Sequence, residues 1–402
     1  MIDKTAIKIL VLDDEPFMLK LLSFMLANLG FNQVETFESG HAALAWLDLL
    51  VQPPEMVLLD LNMPEMDGVE FVRHLVERQY GGCVILVSGE DERMLQTVEK
   101  LVRVHKISIL GHLHKPVTAN ALSTLVETWV APASIRPQKA KKKYSAEEIQ
   151  AAIANGQLIN HYQPQVHVST GKVVGVETLV RWQHPEDGLV FPDQFIGVAE
   201  EHGLIDSLTW AVIDAAFMQM KLWQADGLYL KLAINISMDN LATLSFVHYV
   251  TATAEFCKIE PADIVLEITE SRLMSNQPTQ LELLTRLRLK RFGLSIDDFG
   301  TGHSSLSQLR DIPFDELKVD QGFVHGAASN DTLRAIYNAS LNLAQQLGMT
   351  TVAEGVETRA EWDLLRHTGC DVAQGYFIAK PMPPTDLSHW IGVWEADVST
   401  LM

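Results

Sequence analysis

The sequence predicts an α/β protein with two folds in tandem: a doubly wound parallel sheet, then an eight-stranded β/α barrel with one antiparallel strand. Three observations predict it. Before residue 130, short apolar runs alternate with segments of helical period. After residue 146, eight more strand-like runs follow, most of them separated by helical segments. Between the two lies APASIRPQKAKKKYS, Ala131 to Ser145. It holds Pro132, Pro137 and the basic residues Arg136, Lys139, Lys141, Lys142 and Lys143, with no acid. A charge run of one sign is usually solvated, so this segment reads as a linker. The expected division is 1–130, 131–145 and 146–402.

In the first part, IKILVL, MVLLD, VILVS and ISILGHL are short β-rich runs, and MLKLLSFMLANLG has helical spacing and ends on a glycine. Continuous apolar strands alternating with helices indicate a parallel sheet covered on both faces. In the second part, SAEEIQAAIANGQL opens on a serine cap, Ser145. The strand-like runs are HYQPQV, VVGVETLV, LKLAINI, IVLEITE, LSIDDF, ELKVD, TTVAEGVE and VAQGYF. Eight strands with intervening helices predict a TIM-type barrel. The first two are joined only by HVSTGK, with Gly171 as a turn residue. So short a link permits a hairpin but no parallel crossover, hence the one antiparallel strand.

Ligands of a doubly wound sheet bind at the carboxyl ends of its strands. Asp13 and Asp14 end the first strand, Asp60 ends MVLLD, Ser88 follows VILV, and Lys115 precedes Pro116. Clustered carboxylates repel unless a divalent cation lies between them, and oxygen ligands suit magnesium. Acids at strand ends can be mere solvated turns, but a full set at successive strand ends points to a site.

The stretches VLDDEP, LLDLNMPEMDG, LVSG and HKP resemble the response-regulator receiver family, over roughly residues 5–130. That resemblance implies a flavodoxin-like fold and phosphoryl transfer to Asp60 from a histidine kinase. It also implies one magnesium or manganese ion at Asp14, Asp60 and the main-chain carbonyl of Asn62, with Asp13 in support. Ser88 and Lys115 would contact the phosphoryl oxygens, which need positive charge around them during transfer. Receivers usually carry an aromatic residue three positions before the lysine; here it is His112.

In the barrel, most strand runs carry a polar residue late in an apolar sequence: Gln163, Glu177, Asn235, Glu267, Asp297 with Asp298, Lys318, Glu354 and Gln374. At the carboxyl end of a barrel strand, such residues read as catalytic. Glu177 and Arg181 are an even distance apart and share a face. Asp297 and Asp298 are adjacent and share a site only where the backbone turns, which FGTG with Gly300 and Gly302 is expected to supply. Five carboxylates facing one cavity cannot all stay ionised without cations. The donor set is oxygen with no cysteine or histidine, which points to magnesium or manganese. The excess of ligands suggests two metals, as in phosphodiester hydrolysis. A salt-bridged barrel core would explain Lys318 with one acid, but not the others.

These residues resemble the EAL cyclic di-GMP phosphodiesterases, through YQPQV, GVETLVRW, FPDQFIGVAEEHGLI, AINIS, LEITES, DDFGTGHSSL, LKVD, VAEGVE and AQGYF, over roughly residues 146–390. The resemblance implies a first metal at Glu177, Asn235, Glu267 and Asp297, and a second bridged by Asp297 with help from Asp298. Lys318 and Glu354 would handle the attacking water, Glu354 as general base, and Gln374 would position it. Gln163 and Arg181 would bind the dinucleotide, Arg181 through a phosphate. Glu270 would anchor the loop after DDFGTG, and Asp320 and Glu357 would support the site. Three departures stand out: Thr178 replaces the signature alanine, His303 a tyrosine, and Gln321–Gly322 a charged residue and a serine. Thr178 points to the other side of the strand from Glu177, and none of the departures removes a ligand.

The 402 residues carry 31 Lys+Arg against 51 Asp+Glu, a net charge of -20. That argues against nonspecific binding to DNA or an anionic membrane. Cys83, Cys257 and Cys370 lie far apart, so no disulfide framework is expected. The start MIDKTAIKILVLDDEP reaches charge too soon for a signal peptide, no apolar run approaches a membrane span, and no DNA-reading segment follows the barrel. The expectation is a cytoplasmic, homo-oligomeric response regulator. It would hydrolyse cyclic di-GMP to linear pGpG, and phosphorylation would act through the loop from Asp298 to Ser305. The rivals are a catalytically weak cyclic di-GMP-binding effector and a signalling scaffold.

Overall fold

The computed structural model describes residues 4–50, 52–104, 107–127, 129, 142, 144–242, 244–269, 278–300, 309 and 312–398. Expectations for Glu270, Gly302, His303, Ser305 and most of the basic segment lie outside the described residues. The chain divides into two compact units, Met1–Lys141 and Lys142–Met402.

In the first unit, β1 (Lys8–Leu12), β2 (Gln33–Phe37), β3 (Met56–Asp60), β4 (Cys83–Ser88) and β5 (Ser108–His114) form one sheet in the order β2-β1-β3-β4-β5. Every neighbouring pair is parallel. Strand alternation sorts the apolar residues onto two cores. Leu10, Leu12, Val57 and Leu59 pack on one face, and Ile9, Val11, Met56 and Leu58 on the other. β3 and β4 are buried along their whole length, as their continuous apolar runs require. β2, with sequence QVETF, is a half-exposed edge strand.

The second unit contains β6 (Leu158–His167), β7 (Val173–His184), β8 (Gly188–Val190), β9 (Lys231–Asn235), β10 (Ile264–Thr269), β11 (Gly293–Phe299), β12 (Glu316–Val319), β13 (Thr350–Ala353) and β14 (Val372–Ala373). Eight of these close a barrel in the order β6-β14-β13-β12-β11-β10-β9-β7, completed by β6 against β7. β6 is antiparallel to both its neighbours, and the other barrel pairs are parallel. The predicted hairpin is there, with Gly171 at φ +69°. β8 extends β7 outside the ring of eight.

The helix Ala146–Ala154 opens on the predicted cap: Ser145 accepts from the N–H of Glu148, and Glu148 accepts from that of Ser145. Tyr144 is buried against Trp182, with ring centroids 4.6 Å apart, and Lys142 pairs with Asp187 at 2.8 Å. These residues of the basic segment therefore pack with the barrel. The three cysteines are free and buried. Among the described residues, no helix is long and apolar enough to cross a membrane.

Candidate active site

One end of the barrel gathers the polar residues that interrupt its apolar strands. Register explains several placements. Glu177 on β7 stands opposite Gln163 on β6, and Glu267 on β10 beside Asn235 on β9. Gln163 sits mid-strand on the reversed β6, so pairing with β7 rather than a strand end brings it to the site. Glu354 and Gln374 follow β13 and β14, on loops that interlock. The N–H of Val356 donates to Gln374 O at 3.1 Å, and that of Phe377 to Val356 O at 2.9 Å. A Cβ on Gly375 would stand 2.2 Å from Val356 backbone atoms, so only glycine permits this approach.

The centre is Lys318, which is fully buried. Its Nζ lies 2.7 Å from Glu354, 3.0 Å from Asp297, 3.1 Å from Glu267 and 3.8 Å from Glu177. Burial disfavours the ammonium, but the surrounding carboxylates outweigh it and hold Lys318 well above the ordinary lysine range. One cation cannot serve four anions equally. Burial pushes Glu177 up, yet Lys318 and hydrogen bonds from Gln374 and Asn235 hold it below the ordinary range. Burial, reinforced by Glu177 and Asp297 against the pull of Lys318, raises Glu267 well above its ordinary value. Burial likewise pushes Glu354 up to about 8 and Asp298 up to about 6.

Asp297 and Asp298 do share a site. Asp298 has φ +55°, and the register of β11 with β12 shifts between Ile296 and Phe299. The turn thus begins inside the strand, ahead of Gly300, rather than in FGTG alone. Carboxylate oxygens of Asp297, Asp298 and Glu354 all lie within 4.8 Å of one another. Glu267 Oε1 is buried without a hydrogen-bond partner, and Glu267 Oε2 and Asp297 Oδ1 have no hydrogen bond and only the shared Lys318 ammonium, at 3.1 and 3.0 Å. Four carboxylates sharing a single ammonium, with oxygen donors throughout, fit a hard divalent cation.

Amides complete the wall. Asn235, exposed at the rim, donates to Glu177 Oε1 at 2.7 Å. Gln374 Nε2 donates to Glu177 Oε2 at 2.5 Å and to Gln163 Oε1 at 3.0 Å. Both its N–H groups are thereby committed to protein acceptors. Gln165 Nε2 donates to Gln374 Oε1 at 3.0 Å. Sequence reasoning missed Gln165, although it lies two residues from Gln163 on the same strand face. Arg181 is buried, with its Nη1 on Val180 O at 2.8 Å and its guanidinium 5.0 Å from the centre of the Phe191 ring. Beside it is a recess of about 260 Å³, lined mainly by apolar residues including Leu179, Pro192 and Ile196, with Glu200, Asn235 and Ser237 among its polar groups.

Asp320 caps the short helix Gln321–Val324 by accepting from the N–H of Gly322 at 2.8 Å. Glu357 is exposed, and its N–H donates to Glu361 Oε2 at 2.8 Å. Glu361, which sequence reasoning also missed, is buried and ties that loop to the N–H of Gly326 at 3.0 Å.

The first unit assembles its own acidic cluster. Oxygens of Asp13, Asp14 and Asp60 lie within 4.8 Å of one another. Lys115 Nζ bridges Asp13 at 2.9 Å and Asp60 at 2.8 Å. Burial raises Asp60, with Asp13 adding to it and Lys115 opposing. Burial lowers Lys115, but its bonds to Asp60 and Asp13 raise it overall. Ser88 is buried beside them and accepts from the N–H of Glu90 at 3.1 Å. The N–H of Asn62 donates to Asp60 Oδ1 at 3.3 Å, and its side chain donates to Glu90 at 2.6 Å.

The family model of the EAL domain matches residues 146–381. The chain belongs to the EAL domain family. The model of the response regulator receiver domain matches residues 9–127. Cyclic di-GMP phosphodiesterase RocR of Pseudomonas aeruginosa is 31% identical over 379 residues, covering 94% of this chain and 96% of RocR. The bifunctional diguanylate cyclase/cyclic di-GMP phosphodiesterase MucR of the same organism is 40% identical over 242 residues, 60% of this chain but only 35% of MucR. A solved c-di-GMP complex of PaMucR phosphodiesterase is 39% identical, covers 60% of this chain and 98% of that chain, and superposes with a TM-score of 0.57.

The departures from the EAL pattern can be placed on this frame. Thr178 is buried, its Oγ1 has no hydrogen-bond partner, and it borders the recess. Gln321 packs against Gly355, where a Cβ would meet that of Gln321 at 2.3 Å. In the receiver, His112 Nδ1 is held 2.7 Å from Glu99 Oε1, and its ring lies edge-on to His114 at 5.4 Å.

Proposed function

We propose that this chain is a two-component response regulator that hydrolyses one phosphodiester bond of cyclic di-GMP to give linear pGpG. A histidine kinase would phosphorylate Asp60, and the phosphorylated receiver would modulate turnover. The observation that carries the reading is the buried Lys318, a single ammonium shared among Glu177, Glu267, Asp297 and Glu354, with Glu267 Oε1 left without a hydrogen bond. The likeness to RocR supports it, because it runs through both domains. A cytoplasmic location and a homo-oligomer belong to the same reading.

Glu177, Asn235, Glu267 and Asp297 would hold one magnesium or manganese ion, and Asp297 with Asp298 a second. In the receiver, Asp14, Asp60 and the Asn62 carbonyl would hold another, with Asp13 in support. Bound in the barrel, the ions would supply Lewis-acid stabilisation of the scissile phosphate and the departing oxygen. The chain's own groups do the rest. Arg181 offsets a phosphate charge at the site edge. The apolar recess next to it has room for a planar base. Glu354, raised by burial, accepts the proton of the attacking water while Lys318 orients that water. A P–O bond forms to the water oxygen, one ester P–O bond breaks, and the released sugar oxygen takes up a proton.

The test is pGpG release by purified protein with Mg²⁺. Wild type is expected to release it, and Glu177→Ala to release none. Protein that binds cyclic di-GMP with Mg²⁺ present but releases no pGpG would be an effector instead.

A further inference from the structure

Gln165 is buried on β6, two residues beyond Gln163 and on the same face. Its register partner across the hairpin is Gly175, where a Cβ would stand 3.0 Å from Gln165 Oε1. The missing side chain there gives Gln165 its room. Gln165 Nε2 donates to Gln374 Oε1 at 3.0 Å. Gln163 Nε2 is committed to Ala379 O at 3.0 Å, so the Gln163 oxygen faces Gln374. Gln374 therefore meets two acceptors, Gln163 Oε1 and Glu177 Oε2, on its NH₂ side and one donor, Gln165, on its oxygen side. Turned over, the amide would set oxygen against two oxygens and NH₂ against NH₂. Its polarity is fixed by the neighbours.

We propose that Gln165 is a positioning residue for Glu177, acting through Gln374. The inference rests on the reading that Glu177 holds a divalent cation. One oxygen of Glu177 is oriented by Asn235 and the other by Gln374. Gln165 locks the second of these. It reaches Glu177 by no bond of its own among the described hydrogen bonds, so its effect passes through Gln374.

The experiment is calorimetric titration of the full chain with Mn²⁺, on an Asp14→Asn/Asp60→Asn background that removes two receiver carboxylates. Gln165→Glu keeps the size and reverses the polarity, because a carboxylate only accepts. It draws the Gln374 NH₂ away from Glu177. Mn²⁺ affinity is expected to fall about 10-fold or more, as when outer groups that orient metal ligands are changed. Gln165→Met, an apolar replacement of similar length, keeps the test open should the buried glutamate prevent folding, and is expected to weaken binding less. The double variant Gln165→Met/Gln374→Met is expected to bind as Gln374→Met alone does. A purely structural role predicts additive losses, which would overturn the inference. So would Gln165→Glu and Gln165→Met proteins that bind Mn²⁺ as the parent does. A parent that binds no Mn²⁺ removes the metal reading and the inference together, whereas normal parent binding with unchanged variants removes the inference alone.

Discussion

Lys318 Nζ lies 2.7 Å from Glu354 Oε1, the shortest of its four approaches to carboxylates, with the lysine fully buried and the glutamate partly so. The same ammonium thus neutralises the proposed base and shares its charge with three proposed metal ligands. Lys318→Met removes it and leaves the acids facing one another. Breaking a buried ion pair by deleting one partner costs about 3–5 kcal/mol. The metal-free variant is expected to unfold at lower urea, and Mn²⁺ is expected to restore part of the loss. Turnover should fall about 10²-fold or more, the usual cost of misplacing a reacting group, here the water that Lys318 orients. Urea unfolding with and without chelator, beside a pGpG assay, checks both. A variant as stable as wild type in chelator would refute the ion pair's central place.

Acidity gives a second handle. Burial holds Glu354 at about 8 against an ordinary 4.5, and Asp298 at about 6 against 3.8. Both carboxyls bind protons more tightly folded than unfolded. Across the window from the ordinary values up to about 8 the folded chain carries the extra protons, so metal-free stability falls as pH rises. Glu177 is shifted the other way, and its contribution is already complete above its ordinary 4.5. Metal binding requires ionised carboxylates, so stabilisation by Mn²⁺ should grow through the same window. Melting temperatures in chelator should decline from about pH 5.5 to about pH 8.5, and the gap to the Mn²⁺ curve should widen. A gap independent of pH would contradict the burial argument.

Why some of this was legible and some not has a physical reason. Each parallel barrel strand announces itself as an apolar run, and a polar residue near its carboxyl end stands out because burying it is costly. That was enough to single out Glu177, Glu267, Asp297, Lys318 and Glu354 as candidates, which the fold brings together, and to foresee the reversed β6 from its short hairpin. β2 escaped notice because an edge strand buries little, and QVETF carries no apolar run. Gln165 escaped because its significance lies in a bond to a residue 209 positions away. The left-handed turn at Asp298 escaped because its neighbour Gly300 offered an easier place to bend.

The receiver's acidic cluster makes a prediction about control. Lys115 bridges Asp13 and Asp60, so an acyl-phosphate mimic at Asp60 must displace or recruit that lysine. Beryllofluoride with Mg²⁺ is expected to change the turnover of wild-type protein and to leave Asp60→Asn unaffected. Rates of pGpG release measure this. An unchanged wild-type rate would sink the proposed coupling between phosphorylation and hydrolysis.

Thr178 tests how much the signature alanine matters. It follows Glu177 on β7, so its side chain leaves the opposite face of the strand. The residue is 2% exposed, and its hydroxyl finds no partner. A buried hydroxyl without a bond costs about 1–3 kcal/mol. Thr178→Val keeps the shape and exchanges that hydroxyl for a methyl group, so stability should rise by about 1 kcal/mol or more. Glu177 keeps its bonds from Asn235 and Gln374, so turnover should be unchanged. Urea midpoints and pGpG release decide the matter together. A variant that gains stability at wild-type turnover makes the threonine a tolerated replacement. A variant that loses turnover while gaining stability shows instead that the hydroxyl finds its partner on the substrate side, in the recess it borders.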